Sequence, residues 1–188
     1  MRKLVLFMHI SLDGFVAGPE GEMEWINVDS EMFDYAGRLT DKADIALYGR
    51  KTYEMMESYW PSAADQPGAT KHDITHSRWY NSVKKVVVSG TLETEQPANT
   101  EIYASDIPVR IMELKETGGK DILMFGSPSV AYILMQAGLI DDYWLFVNPV
   151  LLGEGIPMFK DISNRIKLEL KESKVFSSGV VGLHYIKV

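Results

Sequence analysis

The sequence contains no cysteine, and that absence removes disulfides, thiolate nucleophiles and cysteine-ligated metals together. Nothing argues for an oxidising compartment, so the cytoplasm is the expected location. A basic excess is also missing: 19 Lys and Arg stand against 26 Asp and Glu, for a net charge of -7. Such a surface offers no electrostatic footprint to nucleic acid or to an anionic membrane, which favours a small-molecule partner. No apolar run approaches the roughly 20 residues needed to cross a bilayer. The start, Met1-Arg2-Lys3-Leu4-Val5-Leu6-Phe7-Met8, is too short an apolar stretch for a signal peptide and has no small-residue cleavage site after it; it reads as a first strand. Repeats, low-complexity tracts and linkers are absent as well, and 188 residues with 46% apolar content fit one domain spanning 1–188.

What is present is an alternation of strands and helices. Leu4–Ile10 is apolar at nearly every position, the pattern of a strand covered on both faces. A long loop follows, punctuated by Asp13-Gly14 and Gly18-Pro19-Glu20-Gly21, and its length suggests a lid over a site. Asp29 or Ser30 is placed to cap a helix reaching about Asp41, with Met32, Phe33, Ala36 and Leu39 on one face. Ile45–Tyr48, Val86–Val88 and Ile122–Phe125 are short buried strands, each ending near a glycine, and Lys51–Ser58 is a helix stopped before Pro61. This order predicts a mainly parallel sheet. After Gly138 the pattern changes to strands at Tyr143–Val147, Lys167–Lys171, Lys174–Ser177 and Val180–Ile186, with Ser178-Gly179 as a hairpin turn. The expected architecture is therefore α/β, with a mixed sheet that has an antiparallel end.

In such sheets ligands gather at the carboxyl ends of the parallel strands, so the residues just past each strand carry the functional reading. At Gly126-Ser127-Pro128-Ser129, Ser127 can cap a helix, Pro128 suits its first turn and Gly138 its stop. The unpaired amides of that turn, beside a glycine, suit an anion, although an ordinary capped helix explains them equally. Gly49-Arg50-Lys51-Thr52 sets two cations at a helix N-terminus, where the dipole disfavours them; a ligand phosphate would relieve this, as would pairing with Glu54. Ser89 and Thr91 flank a glycine in a similar place and could hold a ribose or phosphate, or simply form a turn. His72 and His76 stand four apart but lack the Glu of an H-E-x-x-H motif and a third ligand, so no metal site is expected; His9 and His184 read as satisfied structural histidines.

Four segments, Ser11-Leu12-Asp13-Gly14-Phe15-Val16-Ala17, Gly49-Arg50-Lys51-Thr52-Tyr53, Phe125-Gly126-Ser127 and Asn148-Pro149-Val150-Leu151-Leu152-Gly153-Glu154-Gly155, occur in an order that resembles the reductase domain of bifunctional riboflavin-biosynthesis proteins. That family shares the dihydrofolate reductase fold. The resemblance implies a three-layer α/β/α domain, a stand-alone cytoplasmic reductase, NADPH as cofactor, a homodimer and a small heterocyclic substrate such as the pathway's aminopyrimidine. It places Gly49, Arg50, Lys51 and Thr52 at the cofactor phosphates, Ser89 near the adenosine end, and Gly126, Ser127, Pro128 and Ser129 at the pyrophosphate. The Asp13–Trp25 loop would close over the nicotinamide. For the acid that dihydrofolate reductases carry on the first helix, anchoring on Trp25 leads to Asp29, whereas anchoring on Gly49 leads to Phe33; Asp13 is a second candidate. Trp25, Phe33 and Tyr53 are candidate walls of the substrate pocket. A non-catalytic nucleotide-binding module on the same fold is the alternative.

Overall fold

The computed structural model describes residues 1–92, 97 and 99–188. In chain order its main elements are β1 (Leu4–Ser11), β2 (Phe15–Ala17), α1 (Ser30–Asp41), β3 (Ala43–Gly49), α2 (Arg50–Tyr59), a 3-10 turn (Trp60–Asp65), α3 (Lys71–Ser82) and β4 (Lys84–Val88). They continue with β5 (Thr100–Tyr103), α4 (Ile107–Glu116), β6 (Asp121–Met124), α5 (Pro128–Gln136), β7 (Asp142–Asn148), β8 (Ile156–Pro157), β9 (Leu168–Val175) and β10 (Val181–Lys187).

Eight strands form one sheet in the order β5-β4-β3-β6-β1-β7-β10-β9. From β5 to β7 all neighbours are parallel, and β10 runs antiparallel to both β7 and β9. The mixed sheet with an antiparallel end is thus the one expected, with β1 and β6 at its centre. Strand alternation divides the core. Leu4, Leu6, Met8 and Ile10 pack with Ile111 and Leu114 of α4 and Ala131 and Leu134 of α5, whereas Val5 packs on the opposite face with Met32, Tyr35 and Leu39 of α1. Helices therefore cover both faces and make three layers.

Several boundaries differ from the sequence reading. Lys167–Lys171 and Lys174–Ser177 are not two strands but the single β9, because Glu172 and Ser173 pair with His184 and Leu183 of β10 and the register shift between His184 and Tyr185 skips only Lys171. The buried face of α1 uses Met32, Tyr35 and Leu39, while Phe33 is only half-buried. β5 and α4 were not anticipated: α4 follows Asp106, a non-glycine residue in the left-handed region (φ +53) at its N-cap position, and carries Pro108 in its first turn. The hairpin turn lies at Ser178-Gly179 as expected, with Gly179 at φ +83.

The long loop after β1 is tied down at its base. β2 pairs with β8 in a small antiparallel sheet, and a side chain on Gly155 would stand 2.3 Å from the carbonyl oxygen of Ala17, so only glycine allows the two backbones to meet. None of the helices, among the described residues, is long and apolar enough to cross a membrane.

Candidate functional site

Two adjoining features occupy the carboxyl ends of the central strands. The first is a cleft made of backbone. β3 ends at Gly49 and α2 starts on the next residue; β6 ends at Met124, and α5 starts four residues later. The two turns interlock: the Gly49 amide donates to the Gly126 carbonyl oxygen at 2.9 Å, and a side chain on Gly49 would stand 2.2 Å from Ser127 Oγ. Gly126 has φ +106, and the hydroxyl of Thr52 lies 3.4 Å from where its Cβ would be. The Gly126–Ser127 peptide bond is cis. Ser89 lies one strand further out, since Val88 of β4 pairs with Gly49 of β3.

The nine residues assigned to a cofactor from sequence therefore fall on three neighbouring strand ends, those of β4, β3 and β6. Gly49 has no side chain to cap α2, and Ser127 Oγ hydrogen-bonds Ser129 Oγ at 2.8 Å instead of capping α5. Neither helix carries an acid in its first turn. Two N-terminal partial positive charges consequently converge on one cleft with no protein carboxylate in either first turn. Arg50 turns along its own helix and pairs with Glu54 at 2.9 Å, while Lys51 is exposed. Ser89 Oγ accepts from the amides of Thr91 and Leu92 at 3.1 and 2.9 Å, which fixes the turn after β4.

The second feature is a cavity of about 450 Å³ between α1, α3 and the sheet. Its floor is Phe7 and His9 of β1 with Leu123 and Phe125 at β6; Phe33, Trp60, His72 and His76 are among its walls. Phe33 stacks on His72 with ring centroids 3.7 Å apart and planes 11° from parallel, and Trp60 stands 4.1 Å from His76. Burial pushes the imidazoles of His9 and His76 down to about 4 and about 3, and it lowers that of His72 as well, so all three are neutral at neutral pH. The carboxylates that line the cavity, Asp34 and Asp41, are both solvent-exposed, as are Arg38 and Lys71. A flat, uncharged ring suits such walls.

Of the candidate wall residues, Phe33 lines the cavity and the other two do not. Tyr53 is buried beside Tyr48 and Tyr80 under α2, and the Trp25 indole donates to the Glu22 carbonyl oxygen at 3.1 Å while its neighbour Ile26 reaches the cavity. Asp29 is the N-cap of α1, accepting from the Met32 amide at 2.7 Å, and Ser177 Oγ also donates to it. The Met32 amide, chiefly, holds its carboxyl below the usual range. Asp13 is lowered first by the Ser11 hydroxyl and then by the Gly153 amide, and it gathers the amides of Leu152 and Gly153 at 2.8 to 3.2 Å. Both acids thus have structural partners that join the β1 loop and α1 to the C-terminal third.

Sequence reasoning passed over Phe7, Trp60 and Phe125 and took His9 for a satisfied histidine. His184 is satisfied, bonding Asp142 at 3.0 Å and stacking on Trp144, but His9 Nδ1 is buried with no hydrogen-bond partner among the described residues. The usable signal was the period of two in β1, which places Val5, Phe7 and His9 on one face.

A dihydrofolate reductase from Enterococcus faecalis, solved in complex with NADP(H), shares this fold with a TM-score of 0.64 and 16% identity, over 98% of this chain and 96% of that one. A pyrimidine reductase-like protein from Corynebacterium diphtheriae superposes with a TM-score of 0.70 and 16% identity, covering 100% of this chain and 92% of its own. The architecture is therefore dihydrofolate reductase-like. The chain belongs to the RibD C-terminal domain family, whose model matches residues 2–182. Among its relatives is YyaP of Bacillus subtilis, 35% identical over 189 residues that cover 98% of this chain and 94% of YyaP.

Proposed function

We propose that the protein is an NADPH-dependent reductase acting on a C=N or C=O group of a small heterocycle, of the riboflavin-pathway aminopyrimidine class. The observation that carries this reading is the adjacency of the two features: Phe125 forms part of the cavity floor, and Gly126, the next residue, begins the anion-suited turn. A dinucleotide needs both, a cleft of amides for its phosphates and a dry, flat-walled space for its reactive ring. The chemistry of the cleft fits phosphate, because Gly49 lets Ser127 pack against the start of α2 and neither α2 nor α5 sets a carboxylate in its first turn. Family membership and the NADP(H) complex of the Enterococcus faecalis relative support the same cofactor.

When bound, NADPH supplies a hydride. The chain's own part is positional. Thr52, Ser127 and Ser129 would receive phosphate beside Gly49, whose amide is already held by Gly126, with Arg50 released from Glu54 to join them; the present 2.9 Å pair is exposed and cheap to break. Phe33 and Phe125 would hold the substrate ring flat, and the Asp13–Trp25 segment would exclude water. The proton comes from solvent or the substrate, since Asp13 is held ionised first by the Ser11 hydroxyl and Asp29 by the Met32 amide. Oxidation of NADPH measured by absorbance against 5-amino-6-ribosylaminouracil, its 5-phosphate and dihydrofolate tests the reading. Turnover of any one of them is expected; no turnover of any, with NADPH bound, would leave a nucleotide-binding module.

A further inference from the structure

His9 occupies an unusual position for an unpaired polar group. β1 and β6 run in register from Leu4 opposite Ile122 to Leu6 opposite Met124, which carries His9 up to the level of the Gly126–Ser127 turn. Met8, on the opposite face of β1, ends with its Sδ 3.6 Å from where a Cβ on Gly126 would be, so this end of β1 lies beside that turn. His9 is thus at the carboxyl-end side of the cavity floor, as is Phe125, which joins that floor to the backbone cleft. Among the described residues it is also the only hydrogen-bonding side chain of that floor, its companions being Phe7, Leu123 and Phe125. The ring is held by Phe7 edge-on at 5.6 Å and by Phe146 stacked at 5.2 Å, so it is fixed in orientation.

Neither ring nitrogen has a hydrogen-bond partner among the described residues, and Nδ1 is the one shut away from solvent. Buried N–H donors without acceptors are rarer than buried acceptors without donors. A neutral imidazole here is therefore better served by leaving Nδ1 as a bare lone pair and carrying its proton on Nε2. We propose that His9 presents a neutral Nε2–H donor to the cavity and that the substrate ring places a carbonyl oxygen or ring nitrogen against it. This deepens the reductase reading above and rests on it: a neutral donor of this kind orients the ring and withdraws electron density from the bond to be reduced, without itself losing its proton.

The test uses the intact protein with 5,6-diaminouracil as probe, comparing wild type with His9→Phe, which keeps the ring and removes both nitrogens, and His9→Gln, which keeps a neutral donor. Dissociation constants for the probe are measured by calorimetry, those for NADPH by fluorescence, and the His9 tautomer by nitrogen-15 NMR of histidine-labelled protein. The expected result is an Nε2–H tautomer at neutral pH, probe binding weakened about tenfold in His9→Phe and within about threefold of wild type in His9→Gln, and NADPH affinity retained throughout. A proton found on Nδ1, equal probe binding by wild type and His9→Phe, or failure of wild type to bind the probe while NADPH binds would each overturn the assignment of His9. The reductase reading survives those outcomes, and it falls instead if NADPH does not bind.

Discussion

The backbone cleft and the aromatic cavity meet at Phe125-Gly126 but are built by opposite means. The cleft depends on the absence of side chains: Gly49 and Gly126 let two turns interlock and leave helix amides facing one space. The cavity depends on side chains contributed by β1, α1, α2, the 3-10 turn, α3 and β6, and it has few backbone groups to offer. A site of the first kind suits an anionic group shared by many ligands, whereas one of the second kind distinguishes one ring from another. Cofactor binding and substrate choice should accordingly be separable by mutation.

Trp60→Ala gives the largest expected effect. It removes a cavity wall packed edge-on against Tyr59 and tilted against His76 and should lower stability by about 3 kcal/mol, with weakened heterocycle binding and unchanged NADPH affinity. Chemical denaturation and two binding titrations read it. Gly49→Ala should do the reverse: its new Cβ forces Ser127 aside, costing about 2 kcal/mol and at least about tenfold in NADPH affinity while leaving the cavity intact. Equal losses in both ligands for either variant would break the distinction.

The histidines sharpen it through pH. The folded state holds His9 near 4 and His76 near 3, below the ordinary value of 6.5, so as pH falls from 6.5 the unfolded chain takes up protons that the folded one refuses. Stability should therefore fall with acid over that window, and His76→Phe should flatten the slope by up to about 1.4 kcal/mol per pH unit, as followed by denaturation at stepped pH. Asp29→Ala gives the smallest effect, about 1 kcal/mol from the lost cap of α1. Its lowered carboxyl contributes stability above the ordinary aspartate value of 3.8 and loses it as pH falls through its folded value, so the variant's deficit should shrink as pH drops below 3.8.

The same contrast explains what could be read in advance. Gly49-Arg50, Ser89-Gly90 and Gly126-Ser127-Pro128-Ser129 are local signals, because each turn's chemistry is written in consecutive residues. The mainly parallel sheet with an antiparallel end and the C-terminal hairpin followed from periodicity for similar reasons. The cavity was hidden because its residues come from six elements far apart in the chain, and helical spacing alone assigned Phe33 to the core when it faces His72 instead. Tyr53 misled in the opposite way: one residue past Thr52, it turns under α2 into a tyrosine cluster, which no local pattern foretells. The cap that Asp29 makes on Met32 was legible locally, but the ties of Asp13 to Leu152 and Gly153 and of Asp29 to Ser177 were not, since those partners are more than a hundred residues away.

The most direct test is a crystal structure of the protein with NADPH. The account predicts the pyrophosphate against the turns at Gly49-Arg50 and Gly126–Ser129, with the nicotinamide at the mouth of the cavity beside Phe125. A nucleotide bound elsewhere, or phosphates seated away from both turns, would contradict it.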